Sequence, residues 1–292
     1  MLESDVLRRE VFIVNACITG MIPRKADTPH VPTTPEEIAA DTLACYRAGA
    51  SIVHLHPRDP NGEPSCDPGL FGAVIAAVRE SCPDIVVCAS CSGRIENTLE
   101  RRSVPLRLEG DLRPEMASLT CGSMNFPKTA SVNSPEIIVG LAQCMKDHGI
   151  KPEVEAFEPG MIHFAKYLID KGILDAPIYA NLLLGSLGTT AGSALDLSMM
   201  VNALPENTIW AAAGIGRYQL TINSLAIAMG GGVRVGLEDN IFYDWHDRSL
   251  ATNARLIERL VRIAAELGRR PATPDEARTI IGLPLRCVAA CK

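Results

Sequence analysis

The sequence predicts an α/β protein: a (β/α)8 TIM barrel occupying residues 1–292 as a single domain, with a short helical extension at its C-terminus. Three observations lead there. Eight short, nearly continuous apolar runs recur along the chain, the pattern of strands covered on both faces. Segments with helical spacing alternate with them, the mark of parallel βαβ units. A length of 292 residues accommodates eight such units, since barrels take about 250 residues. No Gly-x-Gly-x-x-Gly turn opens a helix after the first run, so an open dinucleotide-binding sheet has no positive support.

The strand-like runs fall at 11–17, 51–56, 85–90, 116–120, 153–157, 178–183, 208–213 and 233–237. Helix starts are written between them. Thr34-Pro-Glu-Glu37 opens the first, Asp67-Pro68 the second and Asn133-Ser-Pro-Glu136 a third, each a capping residue followed by proline. Later helices are expected at 159–171, 191–203, 219–229 and 249–267. The segment 94–113 is polar and irregular and gives the weakest helical pattern. Thr273-Pro-Asp-Glu276 starts a short capped helix to Gly282, expected to pack outside the barrel or against another subunit.

Composition narrows the function. The chain is 47% apolar and 21% charged, enough to bury a large core. A net charge of -6 with no basic run argues against nucleic acid as a partner. The N-terminus is charged with both signs, unlike a signal peptide, and no run is long enough to span a membrane. Ten cysteines sit mostly in apolar segments, which suits reduced thiols in a cytoplasmic enzyme. Cys88 and Cys91 form a CxxC inside an apolar run, and Cys287 and Cys291 lie near the end. Core packing is the expected role of them all.

Barrel enzymes gather their chemistry at the C-terminal strand ends. His54 and His56 close the second strand, and side chains at i and i+2 of a strand share a face, about 7 Å apart along the chain. They are therefore metal ligands or two core histidines. Ser90 closes the third strand, with Ser92 and Gly93 just beyond, and Ser118 and Thr120 close the fourth. Glu155 lies in the fifth, with Glu158 just after it. Arg234, Glu238 and Asp239 crowd the end of the eighth. Glu238 is the candidate third ligand, because even-numbered strands aim at a common interior layer. Two imidazoles and a carboxylate suit zinc with one position open, although Glu-Asp-Asn also reads as a solvated turn. Gly214-Ile-Gly-Arg217 stands where barrels often hold a phosphate, or is a tight turn without a ligand.

Several of these motifs together resemble the β-keto acid cleavage enzymes: Ile18-Thr-Gly20 with Pro32-Thr-Thr-Pro-Glu-Glu37, Val53-His-Leu-His-Pro-Arg58, Gly122-Ser-Met-Asn-Phe126 and Val233-Arg-Val-Gly-Leu-Glu-Asp-Asn240. The resemblance runs in the same order from about residue 11 to residue 282. It implies a zinc-dependent barrel, usually a homotetramer, that turns a β-keto acid and acetyl-CoA into acetoacetate and an acyl-CoA. It matches His54, His56 and Glu238 to the metal ligands. Ser90, Gly93 and Ser118 match the holders of the substrate carboxylate, and Asp239, supported by Arg234, matches the base. Ser118 stands in place of a threonine, and Cys91-Ser-Gly-Arg94 departs from the family's Thr-Gly-Gly. Where the aminohexanoate-cleaving type carries a glutamate for the substrate ammonium, this chain has Ile22. An aminated substrate is therefore not expected to be preferred, while Arg24 and Lys25 leave a dicarboxylate open. Two other readings remain at this level: a metal-dependent aldolase or hydrolase that works without CoA, and a non-enzymatic binding barrel. Ionisable groups clustered at strand ends argue against the last.

Overall fold

The computed structural model describes residues 7, 9–127 and 129–286. The barrel strands are β1 (Val14–Cys17), β2 (Ile52–Leu55), β3 (Val86–Ala89), β4 (Met116–Thr120), β5 (Lys151–Ala156), β6 (Tyr179–Leu184), β7 (Ile209–Gly214) and β8 (Gly232–Val235). They pair in parallel in chain order, and β8 closes on β1 with Arg234 opposite Asn15. Each expected run coincides with one barrel strand to within a few residues. The first run is split: Val11–Phe12 pairs with Arg270–Pro271 below the barrel, and the barrel strand begins only at Val14.

The outer helices are α1 (Pro35–Ala48), α2 (Pro68–Ser81), α3 (Leu99–Arg102), α4 (Pro135–Asp147), α5 (Pro159–Asp170), α6 (Ala194–Ala203), α7 (Gln219–Ala228) and α8 (Asn253–Glu266), with α9 (Pro274–Ile281) after them. The start signals act as written. Thr34 accepts the Glu37 N–H while Glu37 reaches back to Thr34, and Asp67 and Ser134 cap α2 and α4, each before a proline. The irregular segment 94–113 forms only α3 and two 3-10 turns, Val104–Arg107 and Gly110–Leu112.

The C-terminal helix does more than pack outside. Ala277, Ile280 and Ile281 of α9 join Val11, Ile13, Ile52, Val86, Met116 and Tyr179 in one apolar cluster that plugs the N-terminal mouth of the barrel. Buried Arg278 in α9 donates to Glu115 Oε1 at 2.7 Å, and Glu115 also accepts from Arg79 at 2.8 Å. Apolar side chains thus fill the lower end of the barrel, and the large cleft lies at the end where the strands finish. Cysteines 17, 45, 66, 82, 88, 91, 121 and 144 are free thiols; Cys287 and Cys291 lie outside the described residues. Among the described residues, no helix is long and apolar enough to cross a membrane.

One buried side chain ties the upper end together. Asn253, the first residue of α8, accepts from the Leu237 N–H at 2.7 Å and donates to Ile18 O at 3.0 Å and Asp41 Oδ2 at 2.5 Å. It thus links the ends of β1 and β8 to α1. Burial pushes the Asp41 carboxyl up to about 6, against the Asn253 hydrogen bond. The unfolded carboxyl titrates near 3.9, so between those values the native state binds more protons than the unfolded chain. Stability from this group is therefore lost as pH rises from about 4 through about 6, by up to about 3 kcal/mol. Asp41→Asn keeps an acceptor for Asn253 and removes the charge. It is expected to raise the urea-unfolding free energy at pH 7.5 by about 1–3 kcal/mol, with the gain vanishing below pH ~4; an equal gain at both pH values would contradict this account.

Candidate active site

The middle of the barrel interior is polar. Glu153 on β5 is fully buried and accepts from Asn15 Nδ2 across the barrel, from Asn181 Nδ2 at 2.6 Å and from Cys88 Sγ at 3.2 Å. Its Oε2 also lies 2.7 Å from His54 Nδ1. Burial alone would raise this carboxyl, but His54 and Arg234 hold it well below the usual range. Glu153 is thus an anion, and the His54 Nδ1 beside it carries a proton. The same contact works in reverse on His54: burial pulls its pKa down, yet Glu153 carries it above the ordinary histidine value.

That bond fixes the histidine. With Nδ1–H turned down to Glu153, His54 Nε2 points up, 3.1 Å from His56 Nε2. His56 Nε2 in turn lies 3.4 Å from Glu238 Oε1. Ligand atoms of His54, His56 and Glu238 all fall within 4.8 Å of one another. Burial lowers the His56 pKa against the pull of Glu238, which favours a neutral ring with a free lone pair. Glu238 Oε2 is buried without a hydrogen-bond partner among the described residues. The ring of His56 facing His54 Nε2 and an orphaned carboxylate oxygen are what a bound divalent cation would engage. His54, Cys88 and Glu153 also lie within ligand range of one another. Burial, however, pushes the Cys88 thiol far up, so it stays a protonated donor to Glu153.

Arg234 on β8 organises the carboxylates. Its Nη1 donates to Glu155 at 2.9 Å, Nη2 to Glu238 at 2.6 Å and Nε to Asp239 at 3.3 Å. Glu155 also accepts from Thr120 Oγ1 at 2.7 Å. The three acids respond differently. Burial would raise Glu238, but Arg234 and the imidazoles hold it well below the normal range. Burial raises Asp239, opposed by Arg234 and reinforced by Glu238, and it raises Glu155 against the same arginine. Cys17 Sγ donates to Asp239 Oδ2 at 3.1 Å, the oxygen that Arg234 also contacts.

Above these groups lies a cleft of about 940 Å³, reached by His54, His56, Ser90, Glu238, Asp239 and Ile22. Ile22 is 54% exposed and rides on a loop pinned by buried Arg58, whose Nη2 donates to Gly20 O at 2.6 Å and Pro23 O at 3.0 Å. Gly20 has φ +64°, and a Cβ there would sit 2.4 Å from Glu238 Cγ, so glycine lets this loop approach the Glu238 side chain. Arg24 and Lys25 are tied to Glu63 and Glu37 and do not line the cleft.

In the loop after β3, Ser90 Oγ accepts the Ser92 N–H at 3.3 Å. Ser118 sits beneath this loop, where its hydroxyl accepts the Cys91 N–H at 3.0 Å and does not reach the cleft. Gly93 packs on buried Arg102, which holds Cys91 O at 2.9 Å and Asn133 Oδ1 at 2.7 Å. In the Gly214–Arg217 turn the Ile215 and Gly216 N–H groups are spent on Leu184 O and Asp239 O and are not turned to the cleft as phosphate donors. Sequence reasoning passed over Glu153 and the anchoring role of Arg58, and read Cys17 as packing. The alternation Glu153-Val-Glu155 within a strand was the available sign that both acids face inward.

A family model for beta-keto acid cleavage enzymes matches residues 11–283. The 3-keto-5-aminohexanoate cleavage enzyme of Fusobacterium nucleatum is 42% identical over 275 residues, 94% of this chain and 98% of that protein. The 3-oxoadipate:acetyl-CoA acetyltransferase of Cupriavidus necator is 38% identical over 277 residues, 93% and 95% of the two chains. Among solved structures, apo ObcA shares the fold with a TM-score of 0.75 at 21% identity, over 89% of this chain and 66% of that one. With a family model spanning the barrel and relatives matched along nearly their whole length, the chain belongs to the β-keto acid cleavage enzyme family.

Proposed function

We propose that this protein is a zinc-dependent acyltransferase that converts a β-keto acid and acetyl-CoA into acetoacetate and the CoA thioester of the remaining acyl group. The observation that carries it is the convergence of His54, His56 and Glu238 beside a buried Asp239 whose basicity is raised. Three protein ligands of this kind suit zinc, and a divalent cation held by them would act as a Lewis acid on the keto oxygen.

The chain's own residues supply the rest. Asp239 is the base that takes the proton from the carbon between ketone and carboxylate; its burial brings a carboxylate closer to the basicity this needs. Arg234 and Cys17 both contact Oδ2, leaving Oδ1 without a partner among the described residues and fixing the plane of the carboxylate. The carbanion then attacks the acetyl carbonyl and CoA leaves as its thiolate. That thiolate attacks the original keto carbon, the bond to the former carbanion carbon breaks, and acetoacetate leaves as its enolate, to be reprotonated by Asp239. Ser90, at the cleft wall, belongs to the carboxylate end of the substrate, with the Gly93 N–H and with Ser118 supporting the loop from below.

The substrate tail is assigned to Met21 and Ile22, which line the cleft with neutral apolar side chains. A tail without an ammonium group is expected to be preferred, since nothing at these two positions offsets a positive charge. A homotetramer belongs to the same reading, supported by the exposed apolar Leu187, Leu195 and Met199 around α6, as does a cytoplasmic location, which the free thiols suit.

Acyl-CoA formation from acetyl-CoA and a panel of β-keto acids tests the reaction. Asp239→Asn is expected to lower kcat by about 10²-fold or more while bound metal is retained. His54→Ala is expected to lose the metal itself, read by elemental analysis. Thioester formation without any dependence on Asp239, or no acetyl-CoA dependence with any acid, would falsify this assignment and favour a CoA-independent metal enzyme. In the same panel, a neutral-tailed acid is expected to exceed the aminated one by about tenfold in kcat/KM, an interaction difference of about 1.4 kcal/mol; an aminated acid as best substrate would sink the assignment of Ile22.

A further inference from the structure

Four arginines reach the cleft: Arg94, Arg217, Arg234 and Arg248. Two are held by oxygen partners. Arg234 is taken up by Glu155, Glu238 and Asp239, and Arg217 donates to the Tyr218 hydroxyl at 2.6 Å. The other two are stacked on aromatic rings: Arg248 lies on Trp245 at 4.0 Å, exposed in the outer loop after β8, whereas Arg94 stands half-buried on the loop that carries Ser90 and Ser92. Its guanidinium lies 3.4 Å from the centre of the Phe126 ring, and no hydrogen-bond acceptor or carboxylate partner engages it among the described residues. Phe126 is itself held edge-on by Phe157 at the end of β5, with centroids 5.7 Å apart. A stacked guanidinium keeps its planar fork of N–H donors free at its edges, the geometry that grips a carboxylate.

The surrounding loop is prepared for the same ligand. The N–H groups of Cys91, Ser92 and Arg94 are taken by the hydroxyls of Ser118, Ser90 and Ser92. The Gly93 N–H has no acceptor among the described residues. Buried Arg102 fixes the backbone beneath it through Cys91 O and Val132 O. Ser90, Ser92 and Arg94 all line the cleft. Burial works to lower the Arg94 pKa, and the charges of Glu238, Asp239 and Glu155 support it, so the cation belongs to the same electrostatic field as the base.

We propose that Arg94 adds a charged grip on the carboxylate of the β-keto acid beside the Ser90 hydroxyl, an inference that rests on the function proposed above. The keto oxygen then lies at the His54, His56 and Glu238 end and the tail runs toward Ile22. Because every β-keto acid carries this carboxylate, Arg94 contributes to binding all of them rather than selecting a tail. A distal carboxylate on the tail, or a phosphate of CoA, offers related chemistry, and each leaves a different signature.

The test compares wild-type protein with Arg94→Gln and Arg94→Lys, using acetoacetate binding by titration calorimetry and steady-state kinetics with several β-keto acids. Arg94→Gln is expected to weaken acetoacetate binding by about 10–100-fold, the range for loss of a charge-assisted bond. KM is expected to rise alike for all acids while KM for acetyl-CoA stays within about twofold, and Arg94→Lys recovers part of the loss. Unchanged acetoacetate binding in Arg94→Gln overturns the proposal, as does a loss confined to dicarboxylic substrates or a rise in KM for acetyl-CoA alone. Acetoacetate that fails to bind wild-type protein overturns it as well. Wild-type protein that binds acetoacetate but forms no acyl-CoA overturns the function instead, and the binding comparison still decides Arg94. Matching thermal unfolding midpoints confirm that the variants are folded.

Discussion

One guanidinium facing three carboxylates sets the terms for the upper half of this barrel. Removing ions from water costs several kcal/mol each even after relaxation, and only close pairing offsets it. Arg234 meets Glu238 at 2.6 Å, Glu155 at 2.9 Å and Asp239 at 3.3 Å, so its attraction is shared unequally. Glu238, closest to the cation and flanked by imidazoles, stays ionised, whereas Asp239 and Glu155 are raised by burial. A single cation thereby separates a carboxylate suited to ligating a metal from one suited to accepting a proton. Adjacent residues of one strand end acquire different chemistry from their distances to one atom group.

The same logic continues downward. Glu153 is too deep to meet substrate, yet it decides which nitrogen of His54 faces the cleft. Hydrogen bonds from Asn15, on the strand beside that of His54, and from Asn181, across the barrel from it, hold the carboxylate in place, so the orientation of His54 is set by residues from both sides of the barrel. Outer partners of this kind usually tune a metal site as strongly as they orient it. The polar middle layer is therefore part of the site, and the apolar plug of α9 beneath it seals the barrel floor.

The strands were legible because a barrel strand is covered on both faces and reads as an unbroken apolar run; each of the eight runs coincides with one barrel strand to within a few residues. The His54, His56 and Glu238 cluster was legible because strand ends in this fold converge. Glu153 was not, since a glutamate between proline and valine in Lys151-Pro-Glu-Val-Glu resembles solvent-facing alternation until the barrel closes around it. Arg58 looked like the start of a polar loop, and its bonds to Gly20 O and Pro23 O depend on a chain segment 35 to 38 residues away. The C-terminal helix was recognised by its caps, but its place under the barrel follows from the partners of Ile280 and Ile281, which no local pattern contains.

Chemistry and recognition are carried by different parts of the chain. The groups assigned to proton transfer and metal ligation sit on or just beyond strands, where backbone pairing on both sides limits movement. The groups assigned to tail and carboxylate sit on the loops at 20–23 and 90–94, each braced by a buried arginine: Arg58 under the first, Arg102 under the second. An arginine donating to main-chain carbonyls holds the path of a loop while leaving its outward side chains unconstrained. Ile22 and Arg94 are such side chains, and both stand where this sequence departs from the family pattern it resembles. On the reading proposed above, Ile22 meets the part of the substrate that varies and Arg94 the part that all β-keto acids share. Relatives of 42% and 38% identity bear the names of different substrates, which is the outcome expected when recognition is carried by loops and the chemistry by strand ends.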